Sequence, residues 1–297
     1  MSKSNNQSWQ LIWHTMRPLH WVKNILIFMP IVLAHQFDQT IIWFKLAQAF
    51  IIFSMIASAI YLLNDLFDIK SDQTHPQKKD RPIAKGQLTK PIIYTAIVIL
   101  GGVGVVSAFL LDEKFAFVIL IYVILNWAYT FKIKKIILLD VIFLSLFYLL
   151  RLLAGALIAN VALSFWFIIF SIFFFLSLGI LKRYNELKIM QAKNFLSIDG
   201  RSYSVSSINK IFLLGISSSF LALSTLFFYI FIGEVNLHYR KPFLWWGIFV
   251  VFFLWIFLVW REAYLKRVSD DIIVYLLKKR LTWLFASFVL LFFFFSL

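Results

Sequence analysis

Three aspartates at the end of an apolar run are the residues of this sequence best suited to chemistry. In YLLNDLFDIKSD, residues 61–72, the acids Asp65, Asp68 and Asp72 are three and four positions apart. This spacing places them on one stripe of a helix, where their charges repel unless a cation lies among them. Magnesium suits such a site, because it takes a few carboxylate oxygens and completes its octahedron with water and substrate phosphate. A solvated helix end is the alternative.

Polar and basic side chains surround these aspartates in the sequence. Asn64 precedes them, and Lys78 and Arg81 belong to a run of cations that ends at Lys85. Such cations are suited to hold the phosphate charge that a metal leaves uncompensated. We therefore predict a site for a magnesium-bound diphosphate, with the three aspartates as metal ligands and catalytic residues and the neighbouring polar side chains as substrate ligands.

The composition indicates that lipid surrounds most of this chain. Of its 297 residues, 62% are hydrophobic and 14% are charged, whereas a soluble domain is about half apolar and about a quarter charged. Because one crossing takes roughly 20 apolar residues, we predict an all-α integral membrane protein with nine transmembrane helices. They are placed near residues 22–36, 44–65, 91–111, 115–131, 137–159, 163–181, 208–232, 242–260 and 281–297. The absence of cysteine excludes disulfides and thiolate metal sites.

The distribution of charge predicts the orientation in the membrane. The formal net charge is +15, which in a soluble protein would suggest nucleic acid; here the positive-inside rule accounts for it, and no nucleic acid is expected. With a cytoplasmic amino terminus, most Lys and Arg fall in the cytoplasmic loops, at about 66–90, 132–136, 182–207 and 261–280. The first twenty residues are polar and mixed, unlike a cleavable signal peptide.

We therefore predict a single domain over residues 1–297, in the cell (inner) membrane, with its active site facing the cytoplasm. Membrane lipids are its surroundings. The sequence leaves the oligomeric state open, a homo-oligomer included.

Two charged residues inside the predicted fifth span are further candidates for substrate binding. Arg151 lies mid-span and Asp140 eleven residues before it, which is three helical turns, so both project into the same sector. An arginine in hydrocarbon costs several kcal/mol unless it faces a cavity or a partner. Two interpretations stay open: a buried ion pair that locks helices together, and a cavity-facing contact with a phosphate or a ribose.

Side chains at the ends of two spans are also candidates. Lys23 begins the first span, and Tyr129 and Lys134 end the fourth. A lysine in such a place can extend to the headgroups, and an interfacial tyrosine commonly anchors a helix. Contact with substrate is the other interpretation of each.

The aspartate stretch resembles a known family. NDLFDIKSD fits the N-D-x-x-D-x-x-x-D pattern of the UbiA superfamily of intramembrane prenyltransferases, and RPIAKG, residues 81–86, looks like the R-P-I-x-x-G that follows it there. The resemblance implies a bundle of nine transmembrane helices around a central cavity open to the membrane. That number agrees with the hydropathy pattern.

One stretch departs from the ordinary prenyltransferases of this superfamily, which carry a second aspartate-rich motif after the sixth span. Here LGILKRYNEL, residues 178–187, has Lys182, Arg183 and Glu186 in that place. One acidic and one basic cluster suit a magnesium-bound diphosphate and a second anion held directly by cations. The motif match makes these three residues candidate substrate ligands, whereas we attribute the later Arg201 to the positive-inside rule.

Longer motifs resemble the decaprenyl-phosphate phosphoribosyltransferases. They occur in order as RPLHWVKNILIFMP (17–30), AYTFKIKKIILLDV (128–141), LLRLLAGALI (149–158), KRYNEL (182–187) and VWREAYLKRVSDDIIVYLLKKRL (259–281). The likeness implies transfer of 5-phosphoribose from 5-phosphoribosyl 1-diphosphate to a polyprenyl phosphate, with release of diphosphate and with Mg²⁺ as cofactor. It also implies that Lys23 is a ligand of a substrate phosphate.

Two other functions stay open. The first is a prenyltransferase that joins a prenyl diphosphate to an aromatic or lipid acceptor, although the missing second aspartate cluster counts against it. The second is a transporter or scaffold without catalysis. Transport is disfavoured because the charged residues cluster on one face of the membrane, whereas transporters bind their substrates near the midplane.

Overall fold

The structure is a computed structural model that describes residues 10–74, 78–197, 201–265, 275–276 and 278–297. In these ranges every regular element is a helix, apart from one isolated β-bridge between Ser197 and Ser204. The all-α prediction is confirmed. Parts of three predicted cytoplasmic loops (residues 75–77, 198–200, 266–274 and 277) lie outside the described residues.

The α-helices are named here in chain order. They are α1 (Met29–Leu33), α2 (Thr40–Phe67), α3 (Ile69–Thr74), α4 (Lys90–Leu111), α5 (Glu113–Phe131), α6 (Leu139–Ala159), α7 (Phe165–Ala192), α8 (Ile208–Phe231), α9 (Leu244–Tyr264) and α10 (Arg280–Ser296). Short 3₁₀ helices lie at Pro18–Phe28, Lys78–Asp80, Ile133–Lys135, Val205–Ser207 and Glu234–Leu237.

Seven helices of the described chain are long and apolar enough to cross a membrane, namely α2, α4, α5, α6, α7, α8 and α9. Two shorter apolar helices, Pro18–Leu33 and Arg280–Ser296, match the first and last predicted spans. Helices are the expected elements, because hydrocarbon offers no partner for an open backbone N–H or C=O group. The chain is a multi-pass membrane protein, and crossing by the two shorter helices stays a prediction.

Local sequence signals explain where two spans begin. Asp112, which directly precedes α5, accepts a hydrogen bond from the backbone N–H of Phe115 at 2.8 Å. Ser164, which precedes α7, accepts one from the N–H of Phe167 at 3.1 Å. Such caps satisfy donors that the first turn of a helix leaves open.

The largest difference from the predicted boundaries is the end of α7. Hydropathy ended this span at residue 181 and placed Lys182, Arg183 and Glu186 in a loop; that placement is wrong, because α7 continues to Ala192. Lys, Arg, Glu and Leu are good helix formers, so the helix outlasts its apolar stretch. It ends where Asn194 adopts a left-handed φ of 60° and the N–H of Phe195 bonds the carbonyl of Met190 at 3.0 Å, a common helix termination.

The chain forms two compact units, and α6 contributes to both. Unit 1 comprises Met1–Ile136 and Phe147–Leu163, and unit 2 comprises Ile137–Leu146 and Ser164–Leu297. In unit 1, α2 packs against α4, and in unit 2 α7 packs against α8, and α9 against α10. That residues 1–297 behave as one domain stays a prediction.

A close backbone contact in unit 1 fixes the first 3₁₀ helix against α6. A Cβ atom added to Gly155 would lie 1.9 Å from the carbonyl oxygen of Ile27, a separation at which no side chain fits. The neighbour is backbone, so it cannot rotate away as a flexible side chain would. Gly155 therefore permits the approach of the segment that carries Lys23 and Asn24.

Replacing Gly155 with alanine is expected to destabilise the protein by about 1–3 kcal/mol or more, the usual range for overpacking. The measurement is thermal unfolding of the purified protein in detergent. Gly102→Ala is the matched control, because a Cβ atom there meets nothing within 4 Å. Equal Tm values for the two variants would contradict the close contact.

Candidate functional site

The three aspartates lie where α2 ends and α3 begins. Asp65 is in the last turn of α2, Asp68 lies between the two helices and Asp72 is on α3. Helical hydrogen bonds continue across the break, from Asp68 N to Asn64 O at 2.9 Å and from Asp72 N to Asp68 O at 2.7 Å. The predicted helix is therefore interrupted at one residue.

The side chains of these aspartates meet protein cations. Nη1 of Arg81 lies 3.0 Å from Oδ1 of Asp65 and 2.7 Å from Oδ2 of Asp72, so one nitrogen bridges two carboxylates. Nη2 of Arg17 lies 2.6 Å from the same Asp65 oxygen. Asp68 instead pairs with Nζ of Lys134 at 2.7 Å. We call these six residues the aspartate cluster.

Burial differs within the aspartate cluster. Asp65 and Asp72 are 4% and 2% exposed, whereas the side chain of Asp68 is 36% exposed. Burial raises the pKa of Asp72, and the guanidinium of Arg81 acts on that pKa in the opposite direction. The charge of Asp72 thus depends on Arg81, and Asp68 is the acid most open to solvent.

Arg17 is a member of this cluster that the sequence analysis did not single out. It directly precedes the first 3₁₀ helix and adopts a left-handed backbone with φ 57° and ψ 61°, which is uncommon for a long side chain. Its position in the motif RPLHWVKN was the signal available in the sequence. Its pairing with Asp65, 48 residues later, is a long-range contact that spacing does not reveal.

Asn64 and Lys78 also lie at this cluster. The hydroxyl of Thr130, near the end of α5, donates to Oδ1 of Asn64 at 2.6 Å. The 3₁₀ helix that follows α5, Ile133–Lys135, supplies Lys134 to the same region. Lys78 is close enough that its charge, like that of Arg81, opposes the rise in the pKa of Asp72 that burial causes. The structure thus brings together the predicted residues of the aspartate motif, its basic run and the end of the fourth span.

The donor set at the aspartate cluster fits magnesium. Mg²⁺ is usually bound through one or two carboxylates, with substrate phosphate and water as the other ligands, and Asp65 and Asp72 already converge on one cationic group. Among the described residues, no group of three acidic, histidine or cysteine side chains is close enough to share an ion. The ligand set of three aspartates therefore stays a prediction.

Arg151 is fully enclosed in unit 1 and 4% exposed. Its Nε donates to Oδ1 of Asn24 at 2.7 Å, its Nη1 donates to the carbonyl of Phe147, and its Nη2 donates to the hydroxyl of Tyr122 at 3.2 Å. The guanidinium also faces the rings of Phe53, Tyr122 and Tyr148 at 4.8 to 5.9 Å. Neutral dipoles and ring faces therefore stabilise this charge.

Asp140 and Arg151 do not pair with each other. Eleven residues of helix separate the two by about 16 Å along the axis, and each has its own partners. No carboxylate lies within ion-pair distance of Arg151 among the described residues, so the interpretation of this arginine as one half of an ion pair is wrong.

Arg151 instead supports the segment that carries Lys23. Asn24, which accepts from Arg151, donates to Oγ of Ser54 at 2.8 Å, and Nε1 of Trp21 donates to Oγ of Ser58 at 3.0 Å. Lys23 itself lies 3.3 Å from Nδ1 of His20. Tyr129 packs edge-on against Phe147, so contact of Lys23 or Tyr129 with substrate stays a prediction.

Unit 2 contains a second charged cluster, formed by Asp140, Arg183, Glu186, Arg201 and Tyr203, which we call the arginine cluster. Nε of Arg183 lies 2.5 Å from Oδ2 of Asp140, and Nη1 of Arg201 lies 3.1 Å from the same oxygen. Arg183 also pairs with Glu186. The hydroxyl of Tyr203 donates to Asp140 and accepts from the N–H of Leu138 at 2.9 Å.

The centre of the arginine cluster is closed to solvent. Arg183 and Asp140 are both 0% exposed, and burial together with the bond to Asp140 raises the pKa of Tyr203. Both acids of the cluster are held by arginine, because Arg201 also approaches Glu186 at 3.8 Å. Lys182, one position before Arg183, is half-buried.

Residues 25–193, more than half of the chain, match the UbiA prenyltransferase family. The chain belongs to the UbiA prenyltransferase family. The family indicates a transferase. The fold agrees, because the chain is similar to the structure of a UbiA homologue from Archaeoglobus fulgidus bound to GPP and Mg²⁺, with a TM-score of 0.68 and 14% identity over 96% of this chain and 98% of that one. The chain is also similar to the apo structure of a UbiA homologue from Aeropyrum pernix K1, with a TM-score of 0.66 and 12% identity over 94% of this chain and 98% of that one.

Curated relatives of this UbiA-family chain include the decaprenyl-phosphate phosphoribosyltransferase of Mycobacterium tuberculosis, 35% identical over 59% of each protein. Nodulation protein NoeC of Azorhizobium caulinodans is 34% identical over 69% of this chain and 67% of that protein. The uncharacterized protein y4nM of Sinorhizobium fredii is 29% identical over 91% of this chain and 52% of that protein. The chain thus spans between about half and two thirds of the length of these relatives.

Two residues of the arginine cluster of this UbiA-family chain were missed in the sequence. Arg201 was attributed to the positive-inside rule, yet it pairs with a buried acid 61 residues away. Tyr203 had no signal at all, because its role depends on the loop after α7 returning to the start of α6. Both contacts are products of tertiary structure.

Replacing Asp140 with asparagine should destabilise the protein by about 3–5 kcal/mol, the cost of leaving buried arginines without their counter-charge. Thermal or denaturant unfolding in detergent measures it. Asp80→Asn is the control, because Asp80 pairs with Lys85 on the surface, where its side chain is 64% exposed, and little change is expected there. A wild-type Tm for the Asp140 variant would show that the cluster contributes no stability.

Proposed function

We propose that the chain is a magnesium-dependent polyprenyl-phosphate phosphoribosyltransferase. It transfers 5-phosphoribose from 5-phosphoribosyl 1-diphosphate to a polyprenyl phosphate and releases diphosphate. The product is a polyprenyl-phosphoryl-5-phosphoribose, a lipid-linked precursor of a pentose donor for cell-envelope synthesis.

The observation that carries this proposal is the charge of the arginine cluster. A second magnesium site would need an acid open to a metal, as Asp68 is in the aspartate cluster with a 36% exposed side chain. Here the side chain of Asp140 is 0% exposed and that of Glu186 17%, and both are engaged by arginine. The cluster is thus better suited to face a second anion, through neighbouring cations such as Lys182, than to hold a second metal–diphosphate. Similarity to the phosphoribosyltransferase of Mycobacterium tuberculosis supports the same substrates.

The aspartate cluster is assigned to the donor. Asp65, Asp68 and Asp72 would hold the magnesium, and Arg81 and Lys78 would bind the diphosphate oxygens that the metal leaves uncompensated. When bound, magnesium neutralises the diphosphate as it departs from the ribose. Asn64, which accepts a hydrogen bond from Thr130, would orient the donor.

The remaining predicted ligands are assigned by charge. Lys23, Lys134 and Lys182 supply cations for substrate phosphates, and Tyr129 lines the approach from the end of α5. Arg151 and Arg183 act by positioning, since each is buried among protein partners. Asp140 and Glu186 serve in turn to orient Arg183.

The acceptor needs little activation. A phosphate monoester is already ionised at neutral pH, so its oxygen can attack without a general base. Positive charge builds on the ribose ring in the transition state, as in glycosyl transfer generally. The contribution of the protein is therefore to position two anionic substrates and to stabilise the charge that develops between them.

We also propose that all nine apolar helices cross the membrane, with the amino terminus in the cytoplasm and the active site at the cytoplasmic face of the inner membrane. The support is the fit of the two shorter apolar helices, Pro18–Leu33 and Arg280–Ser296, to the first and last predicted spans, together with the asymmetry of Lys and Arg.

The activity is tested with the purified protein in detergent or nanodiscs. Radiolabelled phosphoribosyl diphosphate, a polyprenyl phosphate and Mg²⁺ should give a lipid-extractable labelled product, and a strong chelator should abolish it. Label that enters lipid from a prenyl diphosphate donor, and not from phosphoribosyl diphosphate, would instead support prenyl transfer. Consumption of neither donor would contradict an enzymatic role.

Asp65→Asn and Asp68→Asn should each lower kcat/KM at least about a hundredfold, a loss of about 2.7 kcal/mol of transition-state stabilisation, because a metal ligand is removed. Asp80→Asn is the matched control, since Asp80 lies in the same connecting segment but pairs with exposed Lys85. The control should keep the wild-type rate, and near-normal rates in both Asp65→Asn and Asp68→Asn would refute the metal assignment.

A further inference from the structure

The guanidinium of Arg81 occupies the place between Asp65 and Asp72 where a metal ion would bind. Its Nη1 lies within hydrogen-bond distance of both Asp65 and Asp72, so the guanidinium occupies the space between the two carboxylates. A magnesium ion bound to those oxygens would lie about 2.0–2.1 Å from each. Nη1 of Arg81 and a metal ion cannot occupy the same position between these two oxygens.

The charges explain why a cation is present in this state. Three carboxylates of the aspartate cluster are matched by Arg17, Arg81 and Lys134. Carboxylates as buried as Asp65 and Asp72 are costly without a partner. The three cations of the cluster balance its three carboxylates, and Lys78 adds a further positive charge nearby. A bare divalent cation therefore gains little by entering it, because it must first displace an arginine whose anionic partners among the described residues are Asp65 and Asp72.

We propose that Arg81 is a counter-ion that is exchanged: it neutralises Asp65 and Asp72 in the empty site and moves to the diphosphate when metal and diphosphate enter together. The inference rests on the proposed function and adds to it a coupling between the two ligands. Magnesium releases the guanidinium from the carboxylates, and the diphosphate supplies the anion that the released guanidinium needs. Neither ligand alone satisfies both groups.

The structure favours Arg81 as the residue that moves. Its side chain is 27% exposed, against 4% and 3% for the side chains of Asp65 and Asp72. It follows the short 3₁₀ helix Lys78–Asp80 and lies outside the long helices, so its displacement breaks no helical hydrogen bond of a span. A planar guanidinium with several donors also matches phosphate oxygens well.

The test measures binding by the full-length protein in detergent, with calorimetry or with Mn²⁺ and electron paramagnetic resonance as the metal probe. For the wild type we expect weak binding of the metal alone, and at least tenfold tighter binding of metal when pyrophosphate is present. In Arg81→Gln the metal alone should bind at least tenfold more tightly than in the wild type, while pyrophosphate with metal should bind more weakly. The coupling between the two ligands should therefore fall.

Lys90→Gln is the matched control, because Lys90 is an exposed cation at the start of α4 in the same region, and it should behave as wild type. Metal affinity in Arg81→Gln that equals or falls below that of the wild type would overturn the proposal. If Arg81→Gln cannot be purified, Arg17→Gln tests the same neutralisation at Asp65, and absence of any coupling in the wild type also overturns it.

Failure of the proposed function gives a different result. If phosphoribosyl diphosphate is not the donor, neither the wild type nor Arg81→Gln binds it more tightly than it binds pyrophosphate. The metal-alone comparison between the wild type and Arg81→Gln still decides whether the arginine occupies the place of the metal.

Discussion

A carboxylate shielded from water needs a cation beside it, and this requirement organises both charged clusters of the protein. The buried acids of the described residues are Asp65, Asp72 and Asp140, and each is held by arginine. Because desolvation of an ion costs several kcal/mol, the elements that carry these partners must come together when the chain folds. The interrupted helix after α2, the segment before the first 3₁₀ helix and the loop after α7 are all fixed in this way.

Both clusters consist of ion pairs between carboxylates and protein cations, but the two differ in how far these pairs are exposed to solvent. In the arginine cluster the central pair is fully enclosed, both acids have arginine partners, and Tyr203 adds a bond that also reaches the backbone of Leu138, which has a left-handed φ of 65°. A left-handed leucine is strained, and such strain persists only where surrounding contacts hold it. The contacts of the arginine cluster therefore hold it in one arrangement. The aspartate cluster keeps a partly exposed acid and partly exposed cations, as a site that exchanges partners requires.

The sequence carried most of the fold and part of the site. Each of the nine predicted apolar runs corresponds to an apolar helix in the described part of the chain, since backbone polar groups in lipid leave little choice of structure. The end of α7 was missed because hydropathy marks where lipid ends, whereas a helix ends where its residues stop favouring it, here at Asn194. The aspartate motif could be found because its spacing is local. The partners of those aspartates could not, since Arg17 and Lys134 lie 48 and 66 residues away from the acids they bind.

Arg151 shows why the type of a residue does not determine its role. A lone cation in an apolar span suggests either contact with an anionic substrate or an ion pair with a carboxylate side chain. The described contacts of Arg151 include no carboxylate: Asn24, a backbone carbonyl, a tyrosine hydroxyl and three ring faces surround the guanidinium. Such partners are fixed by packing and do not leave when a substrate arrives, so this charge is a permanent support for the segment that carries Lys23. Arg81 has the opposite surroundings, two acids that a divalent ion also prefers. The difference between a fixed and an exchangeable cation therefore lies in the partner, since a guanidinium held by neutral dipoles has no competitor, whereas one held by carboxylates competes with every metal that enters.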